Sequence, residues 1–573
     1  MPFLRRAFVC TLLLTLPACK RGFYNLESHT SEFVYTTLSF SPVTANAAGF
    51  HRFAGDFLDE MLDDFSEAAL SKQRTFYHDF DHGFRKIPRD RISPQDQADY
   101  DLILDQIKLS LLEMDVIQSY KHNPTIYVES LGNAFFTPFS LTYSKEDLRF
   151  YSIIRRLEVV PKFLVVARRN LQDSPEIWNR IAREENLGNI ALIDGPIRAG
   201  CPQKLREAYD KAAATAIQDL RAFNTWLETD LSQRTSDWRL GADHYAKKFP
   251  LVLANGDTPQ ALLADAETEL ARVRAEMAKL AGQEGVRPML NRIAQLHPAR
   301  EAYFGTAATD LADTTQFVRD HQLLTLGDTK NLRVIETPEF MRGIYSVGGF
   351  NPAPVLHPEL KASYWLTPIP ADWPADRVES KLREYNREGL ALLTIHEAMP
   401  GHYVQFEAAN RVEPRGRRVL RNIFGNGPYV EGWAVYATQM LLEEGYRGNS
   451  PELKMTFLKQ QLRMIANAIL DVRLHTMNMT DQQAMKLMLE DTYQEKEEAT
   501  AKLQRAKLSS VQLPTYFAGW RAIVKLRERQ AKLPGFSLRK FNDAFLGMGA
   551  LPVPAVERLL NAAATANAQS SSK

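Results

Sequence analysis

Residues 394–402 read Thr-Ile-His-Glu-Ala-Met-Pro-Gly-His, and they place two imidazoles and a carboxylate within one short stretch. Neutral imidazole is the commonest protein ligand for zinc, and a glutamate beside the first histidine can serve as general base to a metal-bound water. We therefore predict a metal site in which His396 and His402 are ligands and Glu397 is the base.

The spacing of the histidines departs from the usual His-Glu-x-x-His motif, in which they lie four residues apart on one helical face. His402 follows His396 by six residues, which is about 240° around an ideal helix. Pro400 disrupts a helix and Gly401 permits unusual dihedrals. The metal hypothesis therefore requires the helix to end at 399–401 and to swing His402 back. The alternative is a helix that ends at Pro-Gly, with two unconnected histidines.

An apolar stripe precedes this stretch at helical intervals, formed by Val378, Leu382, Tyr385, Gly389 and Leu392. His396 continues the series, so its side chain is predicted to point inward with the stripe. A lone inward histidine is more often a satisfied core residue. The adjacent glutamate and the second histidine favour a metal site instead.

A candidate third ligand follows in residues 428–436, which read Pro-Tyr-Val-Glu-Gly-Trp-Ala-Val-Tyr and predict the start of a helix that runs to about Glu444. Glu431 shares a face with apolar side chains, where a carboxylate is costly unless it is paired or binds a metal. Two histidines, one glutamate and an open position form a catalytic zinc site, so we predict Glu431 as the third ligand. The alternative is a buried Glu431 paired with an arginine.

The two motifs together, His-Glu-x-x-Pro-Gly-His and Glu-Gly-Trp-Ala-x-Tyr, resemble the bacterial domain-of-unknown-function 885 family, and the similarity covers roughly residues 50–560. Members of that family are large, mostly helical, often lipoprotein-type proteins that resemble gluzincin metallopeptidases. The resemblance implies a mainly α fold, a large multi-helix zincin-like body with a deep cleft, and Zn²⁺ as the cofactor.

Residues 330–374 differ from the helical remainder because β-forming segments lie between glycine and proline clusters. We predict a small antiparallel β patch from segments 334–337 and 363–368, with a loop at 348–352 on the lip of the cleft. In gluzincin-like folds an edge strand beside the His-Glu helix receives the peptide substrate by main-chain pairing. A connecting hairpin is the alternative.

Polar residues recur every fourth position in the run from about 452 to 477, at Arg463, Asn467, Asp471 and His475. Such a stripe can reach into a wet cleft. His475 is a candidate to stabilise the oxyanion or orient substrate, and Asp471 a candidate to hold a ligand histidine in its tautomer. Arg473 is a further candidate for substrate binding. The resemblance supports the roles of Asp471 and His475, because the family has a similar Asp-x-x-x-His stretch. A solvated or salt-bridged helix face is the alternative.

Residues 505–519 match the family pattern of Arg-Tyr, Pro-Gly-Gln, Ser-Tyr and Gly at Arg505, Gln512, Tyr516 and Gly519. They depart from it at Ala506, Ser510 and Val511, which affects the loop before Gln512 and with it the substrate specificity. Tyr516 is the candidate phenol donor to the oxyanion. Arg505 is a candidate to pair with a substrate carboxylate, and Gln512 to bind substrate. A structural ion pair is the alternative for Arg505.

The chain begins with a targeting segment. Arg5 and Arg6 precede an apolar core, and Leu-Pro-Ala-Cys at 16–19 is similar to a bacterial lipobox. We predict a signal peptide at 1–18, lipid attachment to Cys19 and a tether at 19–48. Lys20 after the cysteine implies the outer membrane, facing the periplasm. The alternative is an ordinary secretory signal, and either way the protein is exported.

Composition agrees with a globular body: 70 basic and 69 acidic residues give a net charge of +1, which offers no basic footprint for nucleic acid. Helices are predicted at about 100–117, 145–170, 175–188, 203–229 and 258–283, the last capped by Thr258. We divide the body into an N-terminal helical region at 49–330 and a catalytic region at 331–560. The Ala/Ser-rich tail at 561–573 is expected to be disordered.

These features predict a zinc-dependent hydrolase of amide bonds with a peptide substrate, a peptidase of the carboxypeptidase or oligopeptidase type on the cell envelope. One alternative is a non-catalytic lipoprotein that keeps the fold and binds peptides or cell-wall fragments. The other is a metal hydrolase for a different bond, such as an ester or a peptidoglycan amide.

Overall fold

The computed structural model describes residues 24–327, 329–342, 345 and 347–571. Helix accounts for 72% of it and strand for 4%, which confirms the predicted mainly α class. The predicted signal peptide and the candidate lipidation site Cys19 lie outside the described residues. In the part that is described, no helix has the length and apolar character needed to cross a membrane.

Between residues 24 and 230 the structure has nine α-helices and a short hairpin. The strands of the hairpin are β1 (Arg52–Phe53) and β2 (Asp56–Phe57). The helices are α1 (Glu27–Ser39), α2 (Pro42–Ala47), α3 (Glu67–Phe84), α4 (Pro94–Leu112), α5 (Thr125–Ser140), α6 (Glu146–Asn170), α7 (Glu176–Leu192), α8 (Arg198–Gly200) and α9 (Arg206–Thr229).

The expected tether at 19–48 is wrong for residues 27–47, which form α1 and α2. The apolar side chains of Phe33, Val34 and Leu38 are buried on one face of α1, with Leu38 one turn after the first two, so this segment belongs to the core. The carboxylate of Glu27 also accepts a hydrogen bond of 3.0 Å from the backbone N–H of Gly416. The segment has few apolar residues and its buried stripe is narrow, so the sequence pattern did not reveal this helix.

Four helices follow, namely α10 (Ala242–Leu253), α11 (Pro259–Ala281), α12 (Val286–Ala294) and α13 (Tyr303–Asp320). The predicted cap of α11 is present, because the Thr258 hydroxyl accepts a hydrogen bond of 3.2 Å from the N–H of Ala261. The predicted helices at 145–170, 175–188, 203–229 and 258–283 correspond to α6, α7, α9 and α11.

The C-terminal part holds α14 (Ala375–Glu384), α15 (Arg387–Glu397), α16 (His402–Ala409), α17 (Arg415–Ile423), α18 (Gly427–Glu443), α19 (Pro451–Thr476), α20 (Asp481–Lys486), α21 (Lys496–Leu508), α22 (Pro514–Gln530), α23 (Leu538–Gly547) and α24 (Val553–Ser571). The expectation of a disordered tail at 561–573 is wrong as far as Ser571, because α24 continues through the alanine-rich segment. Alanine has the highest helix propensity of all residues, which favours that continuation.

The single run predicted from 378 to 396 is two helices. The side-chain oxygen of Asn386 accepts hydrogen bonds of 3.1 Å from the N–H groups of Glu388 and Gly389, and so caps the start of α15. Asn386 therefore separates α14 from the helix that carries His396.

A three-stranded sheet precedes α14. Its strands are β3 (Leu332–Glu336), β4 (Gly348–Asn351) and β5 (Ala362–Leu366), in the order β3-β5-β4. A small sheet with an antiparallel pair is present as predicted, but its pairing differs from the prediction. The two predicted segments, now β3 and β5, pair in parallel, and the predicted loop at 348–352 is largely strand β4, which forms the antiparallel pair with β5. The long connection through β4 gives the chain room for that parallel return. The hydroxyl of Tyr364 in β5 lies 3.3 Å from that of Thr394 in α15, so the sheet packs against the His-Glu helix.

Two of the three hydrophobic cores of the described residues cross the domain boundary drawn at residue 330, and the third lies within residues 43–231. One core joins side chains of α1, α3 and α4 to those of α15, α18 and α23. A second joins α10 and α11 to α19 and α22. Segments before and after residue 330 therefore share cores, and 49–330 is not a separate folding unit.

Candidate metal centre

Helix α15 ends at Glu397, and the chain turns through residues 398–401 before α16 begins at His402. The turn closes with a hydrogen bond of 3.0 Å from the N–H of Gly401 to the carbonyl oxygen of Ile395. A side chain on Gly401 would overlap the carbonyl oxygens of Ile395 and His396, so only glycine fits there. This turn brings the two imidazoles together, with ring centroids 4.8 Å apart.

Glu431 approaches both imidazoles from α18. Its Oε2 atom lies 3.7 Å from Nε2 of His396 and 3.5 Å from Nε2 of His402. One ligand atom of each of the three residues lies within 4.8 Å of the others. The side chains of His396, His402 and Glu431 are 20%, 10% and 18% exposed, so the cluster is largely shielded from water but can be reached.

Trp433 fixes α18 against the turn. It is fully buried, and its indole Nε1–H donates a hydrogen bond of 3.0 Å to the carbonyl oxygen of Pro400. The start of α18 is capped by Asn426, whose side-chain oxygen accepts from the N–H of Tyr429 at 3.1 Å. The Glu-Gly-Trp motif therefore supplies a candidate ligand, Glu431, and the residue that holds the turn between the histidines in place, Trp433.

Two glycines allow α22 to lie against α18. A side chain on Gly432 would lie 2.6 Å from the Cα of Gly519, and one on Gly519 would overlap the carbonyl oxygen of Pro428. This close contact brings Tyr516, one turn before Gly519, to the cluster. Its ring is stacked on that of His396 with centroids 6.3 Å apart and an interplanar angle of 14°.

Burial and mutual charge set the protonation of the cluster. Burial and the neighbouring His402 lower the pKa of His396 to about 3, so this imidazole is neutral. Burial would raise the pKa of Glu431, but the His402 and His396 rings outweigh it and lower that pKa to about 2. The carboxylate of Glu431 in turn raises the pKa of His402 against the effect of burial. The cluster thus holds a carboxylate and a neutral imidazole ready to accept a cation.

Glu397 lies at the end of α15 next to the first imidazole. Burial raises its pKa to about 7, against the opposing charge of His402. A carboxyl group with a pKa near neutrality can both accept and return a proton, which is the property required of a general acid–base residue.

Arg505, Gln512 and Tyr516 form one hydrogen-bonded group beside the cluster. Nη2 of Arg505 donates to the side-chain oxygen of Gln512 and to the hydroxyl of Tyr516, both at 3.2 Å. Burial raises the pKa of Tyr516 to about 12, so its phenol keeps its proton. The structure brings these three predicted residues together.

His475 and Asp471 do not join the cluster. The N–H of Leu240 donates to Nδ1 of His475 at 3.1 Å, and Nε2 of His475 lies 3.0 Å from the carbonyl oxygen of Ser509. Oδ1 of Asp471 accepts from the hydroxyl of Tyr245 at 2.6 Å and from the N–H of Val511 at 2.9 Å. Both residues therefore hold the loop at 509–511, and neither contacts an imidazole of the cluster as the sequence suggested.

Arg473 is also remote from the cluster. Its guanidinium pairs with Glu267 of α11 at 2.6 Å, and both side chains are more than one third exposed. The polar stripe on α19 spans about 18 Å from Arg463 to His475 at 1.5 Å per residue, so only its first end reaches the site. Arg463 does so, since its charge contributes to the lowered pKa of His396.

Tyr345 is a site residue that the sequence analysis missed. Its phenol is buried and interacts electrostatically with Arg505, Glu397 and Glu431, and its ring packs on Gly349 of β4. It lies in an irregular segment between β3 and β4, where no periodic pattern marks which side chain points inward. An indication in the sequence was that Tyr345 lies three residues before segment 348–352, which was predicted to border the cleft.

The arrangement fits a zinc ion. Ligand atoms at 2.0–2.1 Å around a tetrahedral zinc are about 3.3–3.4 Å from one another, close to the 3.5 and 3.7 Å that join Glu431 to the two imidazoles. Oε2 of Glu431 is buried and has no hydrogen-bond partner among the described residues. Two nitrogen donors and one carboxylate oxygen are a common donor set of catalytic zinc sites.

Comparison with known proteins places the chain in a family. The model of the family described as "Bacterial protein of unknown function (DUF885)" matches residues 42–560. The fold is similar to that of "a putative lipoprotein of unknown function from Shewanella oneidensis", at 27% identity and a TM-score of 0.77, over 94% of this chain and 100% of that one.

A second solved structure, "the putative lipoprotein from Colwellia psychrerythraea", shares the fold at 17% identity and a TM-score of 0.77, over 94% of this chain and 98% of that one. No protein of curated function matches the sequence. Because the family model spans most of the chain, the protein belongs to the DUF885 family of bacterial proteins of unknown function.

Proposed function

We propose that the protein is a zinc-dependent hydrolase of amide bonds in peptides, with a zincin-like site on His396, His402 and Glu431. The observation that carries the proposal is the convergence of these three side chains, from α15, α16 and α18, at distances of 3.5 and 3.7 Å around one point. Zinc bound there would supply an activated water nucleophile and Lewis-acid polarisation of the scissile carbonyl.

Side chains of the protein itself have the other catalytic roles. Glu397 accepts the proton of the attacking water and passes it to the leaving amine, a role that suits its pKa of about 7. Tyr516 donates a hydrogen bond to the developing oxyanion, and Arg505 holds the phenol in place from 3.2 Å. The neutral His396 remains available as a ligand throughout.

The proposed location is the cell envelope, through lipid on Cys19 and facing the periplasm. The Leu-Pro-Ala-Cys sequence at 16–19 supports a lipid anchor. So does the description "putative lipoprotein" of both similar structures. Anchoring would bring the hydrolase to peptides of the envelope.

Metal and hydrolysis assays on purified protein test the proposal. The zinc-loaded protein is expected to cleave members of a mixed peptide library and to lose that activity to a chelator. Glu397→Gln should keep its zinc and lose activity by about 10²–10⁴-fold. The matched control is Glu407→Gln, a glutamate of α16 that bonds Asn331 instead, and it should remain active.

Two outcomes would overturn parts of the proposal. A Glu397→Gln variant as active as its parent would remove the assigned base. A zinc-loaded protein that binds the library without cleaving any member would favour a non-catalytic peptide-binding lipoprotein.

A further inference from the structure

One face of α21 carries charged side chains toward the metal centre. Glu498, Lys502 and Arg505 follow one another by four and three residues, which places them on the same side of the helix. Lys502 is only 5% exposed, and its charge interacts with those of Arg505 and Glu431. The motif at 505–519 marks only Arg505, whereas the helical spacing also marks Lys502.

Glu498 is already occupied by other partners. One of its oxygens accepts a hydrogen bond of 2.9 Å from the hydroxyl of Tyr385, and the other forms an ion pair with Arg463. Nη1 of Arg463 also donates to Tyr385 at 3.0 Å. Glu498 therefore pairs directly with Arg463, and its charge reaches Lys502 without an ion-pair contact.

Lys502 makes no hydrogen bond or ion pair with any residue that the structure describes, and Arg505 makes no ion pair there. The hydrogen-bond partners of Arg505 among the described residues are neutral, the side chains of Gln512 and Tyr516. Burial and the charges of Arg463 and Arg505 hold the pKa of Lys502 well below its usual range. Neither the Lys502 amine nor the half-buried Arg505 guanidinium has a carboxylate in contact among the described residues, and Glu498 and Glu431 act on Lys502 only from a distance. An incoming carboxylate would supply a direct counter-charge to both groups and favour the protonated form of Lys502.

We propose that Lys502 and Arg505 together bind the free C-terminal carboxylate of a peptide substrate, so that the protein is a carboxypeptidase. This inference rests on the proposed hydrolase function. Tyr516 lies between the two parts of the site, stacked on His396 and 3.2 Å from Arg505. A single side chain thus separates the Arg505 guanidinium from a metal ligand, a span that about one or two peptide residues would cover.

The reaction is hydrolysis of an amide bond near the C-terminus. The C–N bond breaks, water gives its hydroxyl to the acyl carbon, and the amine of the released residue or dipeptide takes the remaining proton through Glu397. The carboxylate held by Lys502 and Arg505 leaves unchanged with that product. An amidated or internal chain segment lacks the charge that the two cations require.

The test compares two libraries of N-acetylated tetrapeptides, identical except for a free or an amidated C-terminus, on the zinc-loaded protein. The wild type is expected to cleave the free acids at least tenfold more efficiently in kcat/KM. Lys502→Met should lower that value at least tenfold more for the acids than for the amides, at unchanged zinc content. Lys502→Arg should restore the preference for acids.

The matched control is Lys507→Met on the same helix, because Lys507 pairs with the exposed Asp481 and should not affect the preference. Equal cleavage of acids and amides by the wild type would overturn the inference, as would an equal loss on both libraries in Lys502→Met. Either result leaves the hydrolase proposal standing.

Equilibrium binding of the two libraries to the zinc-loaded Glu397→Gln variant tests the carboxylate site independently of hydrolysis. A preference for the free acids that disappears on adding Lys502→Met supports the carboxylate site, even if the wild type hydrolyses nothing. Equal binding of acids and amides there contradicts it.

Discussion

Gly432 and Gly519 are in direct backbone contact, and a side chain on Gly519 would lie 2.9 Å from the Cα of Gly432. Glu431 immediately precedes the first glycine, and Tyr516 lies one helical turn before the second. The contact between α18 and α22 therefore sets the position of a candidate metal ligand and of the candidate oxyanion donor at once.

Gly519→Ala is expected to lower the free energy of unfolding by about 3 kcal/mol or more, because the methyl group meets the backbone of α18 and not a side chain that can move. Chemical denaturation measures the change. The matched control is Gly305→Ala in α13, where the added methyl group meets nothing within 4 Å. That variant should gain about 0.5–1 kcal/mol. If both variants changed the free energy of unfolding by small and equal amounts, the tight contact between α18 and α22 would be contradicted.

Trp433→Phe removes the indole N–H that donates to the carbonyl oxygen of Pro400 while keeping an aromatic ring in the core. We expect zinc affinity to fall about tenfold, since the bond orients the turn that carries both histidines. Isothermal titration of the folded variant measures it. Trp520→Phe, which removes a similar bond to Gln439, should keep the parent affinity. Unchanged affinity in Trp433→Phe would show that the turn holds its shape without the indole.

Asp471→Ala should release the loop at 509–511. Val511 adopts a left-handed conformation with φ of +63°, which a β-branched residue rarely does, and Asp471 accepts the hydrogen bond from its N–H. Loss of that acceptor should cost about 2–4 kcal/mol and speed hydrogen exchange at Val511. Asp471→Asn keeps an acceptor and should lose less. Exchange that stays slow in Asp471→Ala would contradict this role.

The buried carboxyl group of Glu185 is expected to make the free energy of unfolding depend on pH. Burial, with help from Glu129 and Glu184, raises its pKa to about 9, and neither carboxyl oxygen has a hydrogen-bond partner among the described residues. The folded state keeps the proton up to about pH 9, whereas the unfolded chain releases it above about 4.5. Stability should therefore fall by up to about 1.4 kcal/mol per pH unit across that window.

Glu185→Gln should remove this loss, so its stability advantage over the wild type grows from pH 5 to pH 8 in denaturation experiments. The matched control is Glu228→Gln, an exposed glutamate of α9 that pairs with Arg183, and it should show no such trend. An advantage that is the same at both pH values would mean that Glu185 is ionised in the folded protein.

The helices with strong apolar periodicity were predictable from the sequence, and α6, α7, α9 and α11 lie where that periodicity placed them. The segments that were missed have weak or interrupted patterns. The break at Asn386 was hidden because the apolar stripe continues across it. The helix α1 was hidden because few apolar residues carry its buried face.

Site residues marked by local motifs could be predicted, because His396, His402, Glu431 and Tyr516 do converge. The roles assigned to Asp471 and His475 of the α19 stripe, and to Arg473 on the same helix, failed because a helix of 26 residues extends well beyond one site. Val511 replaces the glycine usual in the family, yet takes a glycine-like conformation. The position of Tyr345 depends on tertiary packing of an irregular segment and left no pattern in the sequence.

The most direct test of the account is zinc stoichiometry of the metal-stripped and reconstituted protein, measured by elemental analysis and titration. The wild type should bind one zinc ion per chain, and Glu431→Gln should lower the affinity by roughly two orders of magnitude or more. Glu443→Gln, on the same helix but paired with Arg527 at the surface, should bind like the wild type. A wild type that binds no zinc, or a Glu431→Gln variant that binds it equally well, would contradict the proposed metal centre.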